Sequence, residues 1–429
     1  MAKKFADHPP EEDGLQNRID QYEDHIKLKL QESEILNGIP MNNEFEVAPF
    51  TRFTSTRLYL VDPGLGKRVV EKPIGHKKKE LMEVVDFSLD HLNLGREPKM
   101  KMFEATDFLE GIYRTEPSMG THYELIFRDI DVQTLQHYRK VTLTRPYAPL
   151  HLMDHRALSS EKKMINLILP LSGRIEKFTL FMERFIRICI RMDKRVYLTI
   201  VYFGEEGLDQ VKAVINKVSK AYDFNYIKLV TINEPFSRGR GLQVGAQSWS
   251  FGDAIMFLCD VDIVFSTDFL ERCRLNTDPG VRIYYPIVFS LYNPSVAYSL
   301  QGMAMPKESE QLVISKNTGF WRDFGFGMAC MYRSDFIAIK GFDEKIDGWG
   351  LEDVYLYRKF VRSPLMVVRA TDPGIFHQWH EKICDPSLPS DQYRGCIRSK
   401  ALNEASHAQL GMLAFKEEID NHKAIIKDR

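Results

Sequence analysis

The sequence predicts an α/β fold with a mostly parallel sheet from residue 161 onward, preceded by a small α+β module. Three observations carry that reading. Apolar runs rich in β-branched and aromatic residues recur between Met164 and Ser266. Amphipathic segments with a helical period separate them, and strands alternating with helices build βαβ units. The chain has 429 residues, 44% of them hydrophobic, which is enough to bury a sizeable core.

In chain order, residues 1–48 are charged and lack sustained apolar periodicity, apart from a possible helix near Leu15 to Leu36. They read as a flexible arm or stalk remnant. Residues 49–160 form the α+β module, with strand-like "TRLYLV", "HYELIF" and "RKVTLTR" around a helical "KKKELMEVVDFSLDHLNL". Residues 161–429 form the main domain. Its strands are "MINLILPL", "RVYLTIVYFG", "YIKLVTI" and "AIMFLCDVDIVFS", the last read as one strand from Ala254 to Ser266. Its helices are "EKFTLFMERFIRICIRM", "GLDQVKAVINKVSKAYD" and "GRGLQVGAQSWS". Ligands in such sheets bind outside the carboxyl ends of the strands.

Charge and cysteine usage narrow the function. Lys plus Arg (58) almost cancels Asp plus Glu (59), so bulk charge points neither to nucleic acid nor to an anionic membrane. No apolar run approaches the roughly 20 residues of a membrane span, and the first residues lack a secretory h-region, so the chain as given reads as soluble. Cys384 and Cys396 flank a polar loop and could bridge in an oxidising compartment. Cys189, Cys259 and Cys330 lie in apolar runs and read as buried thiols.

Asp260 and Asp262 sit inside an apolar run, where two carboxylates one residue apart repel unless a cation joins them. A divalent metal is the expected partner. The second D-x-D, Asp129-Ile130-Asp131, reads instead as a solvated turn. In "GFDEKIDGWGLEDVYLYRKF", Gly348 and Gly350 bracket Trp349, and Glu352 and Asp353 open an amphipathic helix. Those acids suit the helix dipole. They also suit a sugar site, where an aromatic face stacks on a pyranose and a carboxylate takes a hydroxyl proton. His377 and His380, three apart, are structural or metal ligands, and carboxylate with imidazole suits Mn²⁺.

The motifs "FLCDVDI", "FWRDFGFGMAC", "GWGLED", "FHQWHEKIC" and "SKALNEASHAQLGML" resemble the chondroitin sulfate N-acetylgalactosaminyltransferases. "DFLEGIYRTE" and "EKP" extend the likeness into the N-terminal module. The resemblance implies a GT-A (Rossmann-like) glycosyltransferase domain of the β4-galactosyltransferase type. It further implies Mn²⁺ held by Asp262 and Asp260 with His380 or His377, and a nucleotide met by Pro170, Arg174, Phe236, Arg238 and Asp260. Asp353 is implied as catalytic base beside Glu352, with Trp349 and Gly350 as the acceptor platform. Leu351 departs from the pattern, which carries a glycine there.

The implied reaction is inverting transfer of GalNAc from UDP-GalNAc to a glucuronate-ended glycosaminoglycan, or to the linker tetrasaccharide of a proteoglycan, in the Golgi lumen. Association with itself or with other chondroitin synthases is also implied. A polyanionic acceptor needs a local basic cluster, for which Arg322, Lys345, Lys382, Arg394, Arg398 and Lys400 are candidates. The rivals are a non-catalytic partner subunit, a related transferase with another donor sugar, and a metal-dependent phosphohydrolase.

Overall fold

In the computed structural model, the described residues are 12–32, 49–60, 70–97, 100–116, 119–129, 138–148, 162–299, 303–343 and 351–427. They divide into two compact units, Met1–Ala157 and Leu158–Arg429.

The first unit contains helix α1 (Glu12–Glu32), which overlaps the span near Leu15 to Leu36 where the sequence suggests one but starts and ends earlier. Its sheet joins β1 (Thr51–Phe53), β2 (Leu58–Tyr59), β3 (Val70–Glu71), β4 (Phe108–Glu116), β5 (Gly120–Arg128) and β6 (Tyr138–Pro146). The order is β3-β2-β1-β4-β5-β6, antiparallel throughout. Helix α2 (Gly75–Asn93) buries Leu81, Val84 and Ser88 on one face, and the first two join Phe53, Tyr123, Leu125 and Phe127 in the core.

Asp129 is not the solvated turn residue its sequence context suggests. It is buried, with Arg96 Nη2 at 3.1 Å and Arg139 Nε at 2.8 Å. Two cations brought in from elsewhere in the chain offset the cost of enclosing its charge. Asp131 and Ile130 lie outside the described residues.

The second unit is an α/β domain. Its sheet joins β7 (Ile165–Leu171), β8 (Val196–Phe203), β9 (Ile227–Ile232), β10 (Ile255–Leu258), β11 (Ile263–Phe265), β12 (Arg282–Leu291), β13 (Gly319–Trp321), β14 (Ala329–Tyr332) and β15 (Met366–His377). The order is β11-β15-β12-β14-β10-β7-β8-β9, with β13 on β12. The β10-β7-β8-β9 half is parallel, β14 runs antiparallel, and β12 and β15 are again parallel.

Strand β7 reads as a continuous apolar run because both its faces are covered. Ile165, Leu167, Leu169 and Leu171 enter one core cluster, while Ile168 enters the other with Met256 and Leu258 of β10. The helices α3 (Ile175–Phe185), α4 (Leu208–Tyr222) and α5 (Arg238–Gln247) connect the parallel strands. The helical pattern that begins as α3 widens into a π-helix at Ile186–Asp193. Helix α5 lies close on β7 and β8 because it carries glycines. A Cβ on Gly241 would meet Pro170 Cβ and Phe203 Cε2 at 2.9 Å, and one on Gly245 would collide with Ile168.

Two further expectations need correction. The run 254–266 is not one strand but two: β10 ends at Leu258, and β11 pairs with β15 at the other end of the sheet. Cys330 is not a free thiol. It pairs with Cys273, Cα to Cα 5.6 Å, because β14 brings it over helix α6 (Thr267–Leu275). Cys384 and Cys396 do bridge, and Cys189 and Cys259 are buried and free.

Candidate active site

The break between β10 and β11 makes the site. The chain leaves the sheet after Leu258, turns through Asp260 and Asp262, and re-enters as β11. Ile263 N donates to Asp260 O at 3.1 Å and Gln378 N donates to Asp262 O at 3.0 Å, which fixes both carboxylates at the carboxyl end of β10.

Each aspartate meets an arginine. At the end of β7, Gly173 and Arg174 both adopt left-handed backbone (φ 56° and 51°). That reversal sends Arg174 Nη1 to Asp262 Oδ2 at 2.6 Å. Asp262 is buried, while the Arg174 side chain stays 49% exposed. At the start of α5, Arg238 Nε donates to Asp260 Oδ1 at 2.7 Å and its Nη2 donates to Gly327 O at 2.7 Å. Its Nη1 stands 3.8 Å from Glu352 Oε1. Burial works against the Arg238 charge, and Asp260 and Glu352 outweigh it, so the guanidinium is held protonated.

Glu352 and Asp353 open helix α7 (Glu352–Val361) as expected. Burial raises the Glu352 carboxyl above the usual carboxylate range, Arg238 opposing and Asp353 reinforcing the shift. Asp353 Oδ1 accepts from Val354 N at 2.8 Å within its own helix turn. Leu351 precedes them at φ 91°, a left-handed conformation that strains a residue with a Cβ. The glycine expected at this position would adopt it freely. Trp349, Gly350 and Lys345 lie outside the described residues.

His377 ends β15, opposite Ile263 of β11 and Ser290 of β12. His380 follows, its ring 5.5 Å from that of His377 and its Nε2 3.8 Å from Asp262 Oδ2. His380 Nδ1 lies 3.1 Å from Glu381 O and donates to that carbonyl, while Nε2 faces Asp262. Burial, with Arg322, His380, Lys382 and Arg174 around it, pushes His377 well below the ordinary imidazole range and keeps it neutral. Among the described residues, no three His, Cys, Asp or Glu side chains gather closely enough to hold a metal by themselves.

Pro170 lies on β7 against α5, and Phe236 is exposed with its edge to Phe203 at 5.3 Å. Arg322 stands among the cations around His377. Its Nε donates to Ser290 Oγ at 2.8 Å, and its Nη2 donates to Asn403 Oδ1. A cavity of about 230 Å³ opens beside His380, and Lys382 and Lys400 line it. Arg394 and Arg398 are exposed on helix α8 (Ser390–Glu404), away from that lining. Sequence reasoning missed the pairing of each acid with an arginine, because no local spacing encodes contacts across 88 and 22 residues.

The sequence profile of the chondroitin N-acetylgalactosaminyltransferases matches residues 8–410. The chain belongs to that family. It is 46% identical over 409 residues to mouse chondroitin sulfate N-acetylgalactosaminyltransferase 2, covering 92% of this chain and 75% of that protein. It is 46% identical over 400 residues to human chondroitin sulfate N-acetylgalactosaminyltransferase 1, with 92% and 74% covered. Among solved structures, it is similar to a Pyrobaculum calidifontis mannosyltransferase in complex with GDP-Man and Mn²⁺, at TM-score 0.37 and 13% identity. That likeness covers 56% of this chain and 61% of the mannosyltransferase. As a member of the chondroitin N-acetylgalactosaminyltransferase family, the chain carries its two acid pairs at the carboxyl-end edge of the sheet.

Proposed function

We propose that the protein transfers N-acetylgalactosamine from UDP-GalNAc to a glucuronate-ended acceptor in chondroitin synthesis, inverting the anomeric centre. The observation that carries this reading is the Asp262–His380 pair at the end of β10, facing a second acid pair across Arg238, in a chain of this family. The residues fit a divalent metal. Asp262 Oδ2 and His380 Nε2 converge, Nε2 is the free nitrogen, and the neutral state of His377 leaves a second imidazole able to ligate. Arg174 Nη1 donates to the same Asp262 oxygen at 2.6 Å. When bound there, Mn²⁺ would act as a Lewis acid toward the charge developing on the leaving diphosphate.

The chain's own residues do the rest. Pro170, Arg174, Phe236 and Arg238 line the strand ends where the nucleotide binds. Phe236 offers an exposed ring to a base, and Arg174 is exposed enough to turn from Asp262 to a phosphate. Arg238 bridges Asp260 and Glu352, so the donor and acceptor sides share one fixed guanidinium. Asp353 takes the proton from the attacking hydroxyl as general base. Glu352 holds an acceptor hydroxyl, and Trp349 and Gly350 form the adjoining platform. The disulfides Cys273–Cys330 and Cys384–Cys396 suit an oxidising lumen such as the Golgi. No helix among the described residues is long and apolar enough to cross a membrane.

The test is incubation with UDP-GalNAc and Mn²⁺, with and without a glucuronate-ended oligosaccharide. Acceptor-dependent UDP release with a β-linked product is expected. Release that ignores the acceptor indicates a hydrolase, and no release with tight acceptor binding indicates a partner subunit.

A further inference from the structure

Strand β15 carries more chain than its pairing with β12 needs. From Ile287 to Phe289 strand β12 advances two residues, while β15 advances five, from Thr371 to Phe376, so a bulge of three extra residues interrupts the ladder. Beyond the bulge β15 pairs on both sides, with β12 at Phe289 and Ser290 and with β11 at Ile263, Val264 and Phe265. His377 sits in that doubly paired end, and the next residue, Gln378, ties its N–H to Asp262 O. A slip of one residue there would turn His377 to the opposite face of the sheet. What holds the bulge therefore sets where the imidazoles stand.

Asp372 holds it. Its side chain is fully buried at the start of the bulge, and each of its oxygens accepts twice. Oδ2 accepts from Arg272 Nε at 2.8 Å and from Tyr284 OH at 2.7 Å. Oδ1 accepts from Gly374 N at 2.8 Å and from Arg272 Nη2. These donors come from three places: Arg272 from α6, Tyr284 from β12 and Gly374 from the bulge itself. Helix α6 begins directly after β11, and its N-cap Ser266 donates its N–H to Gly374 O at 2.9 Å. The approach is close, since a Cβ on Gly374 would stand 2.5 Å from both Arg272 Nη2 and Ser266 Oγ. A bulge re-aims the strand that carries it, and a fully satisfied buried network allows it one arrangement.

We propose that Asp372 is a positioning residue for the site: through Arg272, Tyr284 and Gly374 it locks the bulge of β15, and with it the register that sets His377 and His380 against Asp262. It acts through the backbone of β15 and not by contact with a ligand. The assignment rests on the function proposed above, in which those side chains hold the metal.

Titration of the full chain with Mn²⁺ in the presence of UDP, followed by the electron paramagnetic resonance signal of unbound Mn²⁺, tests it against a matched control. Asp193 is likewise buried and takes both terminal nitrogens of Arg274, at 2.8 and 2.9 Å, but it stands ahead of β8 at that strand's amino end, whereas His377 ends β15. Asp372→Asn and Asp193→Asn should both lower Tm. Asp372→Asn should weaken Mn²⁺ binding by about tenfold, Tyr284→Phe, which removes one donor and keeps the ring, by about threefold, and Asp193→Asn not at all. The proposal is overturned if a folded Asp372→Asn protein binds Mn²⁺ like the parent, or if Asp193→Asn loses as much. Should Asp372→Asn fail to fold, Tyr284→Phe decides: parent-like binding overturns the proposal, and the smaller loss supports it. A parent that binds no Mn²⁺ overturns the metal assignment and this proposal with it. A parent that shows the whole pattern yet transfers no GalNAc refutes the proposed reaction and leaves the role of Asp372 standing.

Discussion

The two acid pairs of the site, Asp260/Asp262 and Glu352/Asp353, differ in how their charges are met. Each aspartate of the first pair has an arginine at 2.6–2.7 Å. In the second pair, Glu352 has Arg238 at 3.8 Å and a backbone N–H, and burial still raises its carboxyl. Asp353 accepts the Val354 backbone N–H at 2.8 Å. The first arrangement suits exchange of one cation for another. The second suits a proton, because a carboxylate with open lone pairs can accept one without first losing a partner.

Breaking the link between the pairs should have the largest effect on stability. Arg238→Met leaves the partly exposed Asp260 and the more buried Glu352 without their counterion and should cost about 2–3 kcal/mol, read as a fall in denaturant midpoint. Arg174→Met removes an arginine that is 49% exposed, and should cost under about 1 kcal/mol. Similar losses from both would mean that the contrast in burial does not govern the two pairs.

Glu352→Gln should do the opposite. Burial raises the folded-state pKa of Glu352 above its unfolded value, so the unfolded state binds fewer protons across that window and stability falls as pH rises through it. Removing the charge should raise Tm at pH 7, and the gain should vanish near pH 4, where the carboxyl is protonated. A gain that persists at low pH would point to packing and not to charge.

A small effect of the opposite sign to the arginine substitutions is expected at Leu351. Replacing it with glycine relieves a left-handed φ of 91° and returns part of that in chain entropy, for a net gain of about 1 kcal/mol by thermal unfolding. A loss of stability would show that the Leu351 side chain packs in a way that outweighs its strain.

Much of this was legible in the sequence, for identifiable reasons. Strands β7 to β9 and helices α4 and α5 were read at nearly their observed limits, and α3 was read together with the π-helix that follows it, because apolar runs and period-3.6 patterns report directly on burial. Asp260 and Asp262 drew notice because charges inside an apolar run need a partner, whereas Arg238 was implied only by the family resemblance. The break after Leu258 was not legible, since the apolar run continues unbroken on both sides of it. Cys330 and Asp129 were misread for a shared reason. Their partners, Cys273 and the arginines 96 and 139, meet them only through the folded sheets. The strain at Leu351 follows from its backbone, which composition does not report.

The central claim is a division of labour, in which the first acid pair holds the donor and the second takes the proton. Asp262→Asn and Asp353→Asn, compared by UDP calorimetry in Mn²⁺ and by turnover with UDP-GalNAc and acceptor, test it most directly. The account predicts that Asp262→Asn loses Mn²⁺-dependent UDP binding. Asp353→Asn should keep that binding while turnover falls by roughly 10²–10⁴. An Asp353→Asn protein that loses UDP affinity, or that retains more than about a tenth of parent turnover, would contradict it.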